Sequence, residues 1–265
     1  MLRDPLDPRS LGKRRAIPWE AIDVSRLDGK GRAVVGASWR ERRAQEHLAV
    51  SAFAIVAREL AEVGCDPVVL ALVTRAASDE VRHAEVCRRL AVALLGERAV
   101  PARVRGAPKI PLHEAATPEA RALFHVVEMA CLSETLTGVF FTEMVARTTD
   151  AGAKVAIEAL LEDEIDHGRL GWAYLAERAR AGSVGGLAEA LPSMLVRTID
   201  PVVRAAAKAT REDDAALEAL GYLGPRASAA VYLRALRGVI LPGFEELGIE
   251  LGPSMEHARA SGWLA

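Results

Sequence analysis

The sequence predicts an all-α fold: a bundle of four long helices, with additional helices after it toward the C-terminus. Three observations carry this. Four long stretches are rich in Ala, Leu, Glu and Arg with helical periodicity, and none shows the alternation of a strand. The connections between those stretches run short, long, short. One five-residue pattern occurs twice, as Asp79-Glu80-Val81-Arg82-His83 and Asp163-Glu164-Ile165-Asp166-His167, its glutamates 84 residues apart and each copy inside a helical stretch.

Residues 1–36 hold Pro5, Pro8, Pro18 and several glycines, and read as an irregular N-terminal arm with one short helix near Trp19. The long helices are expected near 37–63, 67–95, 117–148 and 151–181. Asp66 and Thr117 are the N-cap residues of the second and third, because their side-chain oxygens accept from the first free N–H groups. Pro67 and Pro118 follow them at the first helical position, where a missing N–H costs nothing. Gly96 to Thr117, with Pro101, Pro108 and Pro111, reads as a long crossover between the second and third helices. Beyond Gly182-Ser183-Val184-Gly185-Gly186, residues 183–265 read as two or three helices broken at Pro192, Pro201, Pro225 and Pro242. They form an extension packed on the 37–182 bundle.

The repeated pattern carries the chemistry. Residues i and i+3 of a helix share a face, so each Glu-x-x-His sets one carboxylate and one imidazole side by side. A bundle completes such a pair of half-sites with one glutamate from each of two other helices. In an antiparallel hairpin, residues at one level lie equally far from the turn. The residue midway between Glu46 and Glu80 is 63, beside Gly64-Cys65-Asp66-Pro67; midway between Glu134 and Glu164 is 149, within Thr148-Thr149-Asp150-Ala151-Gly152. Glu46 and Glu134 are therefore the candidate partners. Glu59 and Glu62 stand too near the first turn, and Glu143 faces the other side of its helix from Glu134. Glu128, six residues before Glu134 and about 120° round the helix, is a weaker rival. His47, His113, His125 and His257 have no carboxylate paired at that depth and read as structural or exposed.

Composition narrows the classes. A chain of 265 residues, 51% apolar, has a core large enough for one sizeable domain. The start is polar and no apolar run approaches 18 residues, so neither a secretion signal nor a membrane span is expected, and the protein reads as cytoplasmic. Cys65, Cys87 and Cys131 lack C-x-x-C spacing and read as reduced thiols. Charges are mixed, 34 basic against 36 acidic, which favours neither nucleic acid nor an anionic membrane as partner. There is no dinucleotide fingerprint, phosphate loop, nucleophile elbow or H-E-x-x-H.

Four carboxylates and two histidines on facing helices would be costly as ordinary core, since each desolvated charge costs several kcal/mol. Two divalent ions would match the four glutamate charges. A carboxylate-rich shell with one imidazole per ion suits iron or manganese better than zinc or copper, and iron is the expected pair, manganese or a mixed pair the alternative.

On these residues the chain resembles the ferritin-like carboxylate-bridged di-iron proteins, in particular the oxygen-activating class with an Asp-Glu-x-Arg-His sequence. Asp79-Glu80-Val81-Arg82-His83 matches that sequence throughout; the second copy has Asp166 in place of Arg. The likeness covers about residues 37–181. It implies a ferritin-like four-helix bundle with two iron ions on Glu46, Glu80, His83, Glu134, Glu164 and His167, and Asp79 and Asp163 holding the metal-bound histidines from behind. It also implies a di-iron oxygenase or oxidase that uses O₂ to oxidise a small or carrier-bound organic substrate, fed by an external electron donor, as a monomer or small homo-oligomer. A ferroxidase, peroxide-scavenging or iron-handling protein is the alternative, and a metal-free helical interaction protein a third. Where one-subunit-type ribonucleotide reductases carry a radical-forming Tyr, this chain has Cys87. Ala49, Ala84, Gly138, Gly168 and Gly171 lie around the proposed ligands and leave room for a substrate or for close helix packing.

Overall fold

The computed structural model describes residues 16–101, 103, 113–115, 117–210 and 214–264, and among them the fold is all-α with no strand. The long elements are α1 (Gly29–Glu62), α2 (Pro67–Leu95), α3 (Pro118–Val126), α4 (Glu134–Arg147) and α5 (Ala151–Arg180). α6 (Leu187–Ala207), α7 (Ala215–Glu218), α8 (Pro225–Ala235), α9 (Leu241–Glu246) and α10 (Gly252–Ala260) follow. Half of the expected crossover lies outside the described residues.

Helix ends follow their caps. Asp66 Oδ1 accepts from Val68 N at 2.7 Å ahead of Pro67, and Thr117 Oγ1 accepts from Ala120 N at 3.2 Å ahead of Pro118, as expected. α1 starts eight residues before the expected 37, inside the segment assigned to the arm. Asp28 explains it, because its side chain accepts from Gly31 N at 2.7 Å and caps a helix whose first turn holds two glycines. The short helix near Trp19 is a single turn, Trp19–Ala21.

A difference of another kind lies between α3 and α4. Val127–Ser133 is π-helical, so Pro118–Arg147 is one continuous helix whose middle is wound more loosely. This helix is long and apolar enough to cross a membrane by length and composition, although the sequence reading expected no such segment. Yet 67% of its most apolar window is buried inside the protein, which accounts for its composition. Pro192 and Pro201 do not break α6 as expected. The helix runs through both and buries Leu187, Leu191, Met194, Leu195 and Ile199 along one stripe, and this burial outweighs the lost hydrogen bonds. Pro225 starts α8 and Pro242 sits in the first turn of α9, after a second π-helical stretch, Leu236–Ile240.

By packing, the chain divides into two compact units. The first holds Met1–Pro111, Phe141–Asp163 and Asp214–Leu223. Here α1 and α2 pack side by side as a hairpin closed by Gly64, at φ 71°, with Cys65 N donating to Leu60 O at 3.0 Å. Its core includes Trp39, Phe53, Leu60, Leu90 and Ile157, and Trp39 Nε1 donates to Leu220 O at 3.2 Å. Asp150 ties three segments of this unit. Its carboxylate accepts from Ala153 N and from Asp23 N, each at 2.9 Å, and its own N–H donates to Ala219 O at 3.0 Å.

The second unit holds Leu112–Phe140, Glu164–Asp213 and Gly224–Ala265. In it α6 packs on α8, on α10 and on the π-helical stretch. Glu128 takes Arg197 of α6 at 2.6 and 3.0 Å and His113 Nε2 at 2.6 Å. Trp172 of α5 lies against Phe244 of α9, ring centres 5.0 Å apart, and donates from Nε1 to Thr135 Oγ1 at 2.9 Å. A Cβ on Gly243 would come within 2.9 Å of the Trp172 ring, so only glycine lets α9 lie this close.

Candidate metal centre

Each unit holds one Glu-x-x-His and one partner glutamate. In the first, Glu46 of α1 and Glu80 and His83 of α2 are 4%, 0% and 0% exposed. His83 Nδ1 stands 3.3 Å from Glu80 Oε2, while Nε2, on the far side of the ring, is 3.2 Å from Asp163 Oδ2. In the second, Glu134, Glu164 and His167 are 3%, 1% and 4% exposed. His167 Nδ1 lies 3.6 Å from both Glu134 Oε2 and Glu164 Oε2. Both imidazoles thus turn the same nitrogen toward carboxylates.

Two groups of donors gather closely enough to hold a metal ion. In the first unit these are Glu46, Glu80 and His83; in the second, Glu134, Glu164 and His167; within each group the ligand atoms all lie within 4.8 Å of one another. Ligands about 2.1 Å from an ion stand at most ~4.2 Å apart, so a small inward movement closes either group on a cation. All six of these residues were singled out from the sequence, and each unit brings three of them together. Four buried glutamates and two imidazoles are donors that could hold a metal ion, and they fit an apolar core badly.

The other candidates lie elsewhere. Glu128 is in neither group, and the loosely wound stretch between it and Glu134 carries it to the Arg197 and His113 contacts. Its carboxyl is pressed upward by burial, but hydrogen bonds from His113 and Arg197 outweigh this and hold it below the ordinary glutamate value. Glu143 pairs with Arg147 at 2.8 Å. Gly171 is a packing glycine, since a Cβ there would meet Ala130 Cβ at 2.6 Å and Ala130 C at 2.7 Å. Around Gly138 and Gly168 there is more room, the nearest atoms lying at 4.0 and 3.6 Å.

Arginines flank the acids of the first unit, and two of them escaped the sequence reading. Arg42, one turn before Glu46, sets Nε 3.9 Å from Glu46 Oε1 and lies over the Phe141 ring at 5.3 Å. Arg75, one turn before Asp79, sets Nε 3.5 Å from Asp79 Oδ2 and Nη2 4.0 Å from Asp163 Oδ1. Arg82, within the repeated pattern, bonds Asp163 and donates from Nη2 to Ala159 O at 3.2 Å. The missed signal was the i, i+4 spacing of Arg42 with Glu46 and of Arg75 with Asp79. No family model, curated protein or solved structure matches this chain.

Proposed function

We propose that this protein is an O₂-dependent di-iron oxidoreductase of the monooxygenase or oxidase class, built on a ferritin-like four-helix bundle. Its substrate is a small or carrier-bound organic molecule, and its electrons come from an external donor. The observation that supports this reading is that each of the two units gathers two buried glutamates and a buried histidine closely enough to hold a metal ion. Two glutamates and one imidazole per ion are a donor set suited to iron, and the extension of some 80 residues after Gly186 favours an enzyme over a storage protein.

In this reading Glu46, Glu80 and His83 would hold one ion, and Glu134, Glu164 and His167 the other. When bound, the iron pair supplies the O₂ activation and electron storage that amino-acid side chains cannot. The chain's own residues supply the rest. Asp163 accepts from His83 Nε2–H and so leaves Nδ1 as the donor atom facing Glu80. Burial of all six side chains would keep bulk water away from a bound ion.

The test is metal content after anaerobic Fe(II) loading, followed by O₂ consumption with candidate substrates and light scattering. About two irons per chain, O₂ uptake that quickens with substrate, and a monomer or small oligomer are expected. A large assembly mineralising many irons per chain would replace this reading with iron handling. Less than about one metal per chain would end both.

A further inference from the structure

The two copies of the repeated pattern are not equivalent, and the difference lies in charge. In the first copy Arg82 reaches the aspartate of the second, Asp163. The second copy has Asp166 at the corresponding place, an acid instead of a base, with its side chain 46% exposed and paired to Arg169 at 3.4 Å. It brings no cation to match Arg82. Arg75 lies outside the pattern, yet its guanidinium faces both pattern aspartates, 3.5 Å from Asp79 and 4.0 Å from Asp163. The carboxylates it faces are nearly buried, Asp79 3% and Asp163 11% exposed at the side chain, while Arg75 itself keeps 27%.

We infer that Arg75 is a positioning residue of the metal centre, the cation that stands in for the arginine missing from the second copy. The inference rests on the di-metal reading. With two divalent ions matching the four glutamates, the charges of Asp79 and Asp163 remain beside the site, and Arg75 and Arg82 are guanidiniums that face them. Arginine keeps its charge in proteins, so this balance does not depend on pH near neutrality. Arg75 acts through the aspartates and touches no ligand. It sets the charge that the metals feel, and a positive charge nearby favours the reduced, less positive ions.

The experiment uses the full chain loaded with Fe(II) and compares wild type, Arg75→Met and Arg75→Lys. Metal content is measured first, then the midpoint potential of the iron pair by anaerobic mediated titration. We expect two irons in all three proteins, a potential shifted to more negative values in R75M, and a value close to wild type in R75K, which retains the charge. A purely structural Arg75 would change thermal stability without moving the potential. Equal potentials in wild type and R75M, or a shift in R75K as large as in R75M, would overturn the role of Arg75 while leaving the metal reading intact. A wild-type chain that takes up no metal would overturn both.

Discussion

At the scale of single residues, the six acid and histidine side chains are held buried at a cost that a bound cation would offset. Glu80→Gln and His167→Ala should therefore lower the metal content from about two ions per chain to one or none, because each removes a ligand. Neither should unfold the protein, since the core rests on Trp39, Phe53, Leu123, Leu195 and their neighbours; circular dichroism will register this. Metal-free Glu80→Gln should melt no lower than metal-free wild type, as the substitution deletes a buried acid with little change of shape. Thiols offer a second check. Cys87 and Cys131 are buried, and burial pushes the Cys131 thiol far up, whereas Cys65 is half-exposed at the first turn. Labelling of the native protein at neutral pH should tag Cys65 alone, with the other two reacting only in denaturant. The buried glutamates and histidines were legible because Glu-x-x-His spacing and distance from a turn are properties of a helical hairpin, whatever packs around it. Arg75 was not, because its role depends on which aspartates converge in space.

At the scale of elements, caps and turns were legible and winding was not. Asp66 and Thr117 act through their own next residues, so local sequence suffices to find them. Nothing local marks Val127–Ser133 as π-helical, and the positions of Pro192 and Pro201 inside α6 are decided by the apolar stripe that holds that helix down. Asp28 was passed over because the glycines after it masked the helix it caps. Glycines within helices separate two kinds of space. Gly171→Ala gains up to about 1 kcal/mol of helix propensity but drives a methyl into Ala130, and overpacking costs typically about 1–3 kcal/mol, so a net loss is expected. Gly138→Ala meets nothing nearer than 4.0 Å and should raise stability by up to about 1 kcal/mol. Urea denaturation of the two variants will show whether their signs differ. The Glu128 clasp on α6 makes a prediction in pH. Its folded pKa is depressed, so its contribution is complete above the unfolded glutamate value and fades as pH falls through the lowered folded value. Thermal melts of Glu128→Gln should therefore differ from wild type at neutral pH and converge with it in acid.

At the scale of the whole chain, the all-α class was legible because helical periodicity accumulates over long segments, while the division into two compact units was not. That division cuts α5 between Asp163 and Glu164, two neighbouring residues of one helix, and no change in composition marks the place. Asp150 has a consequence in time. The three strands of chain that meet on it carry residues 23, 150 and 219, so the junction cannot close until the last of these has been made. At roughly 5–20 residues per second, the 69 residues from Asp150 to Ala219 take about 3–14 s to synthesise. Through that interval the α1–α2 hairpin can already pair, its turn being local, whereas the start of α5 waits for a carbonyl not yet translated. The nascent protein is thus obliged to carry the helices α1 and α2 for seconds before the clasp that seats α5 exists, and a later segment completes a junction that residues 23 and 150 begin.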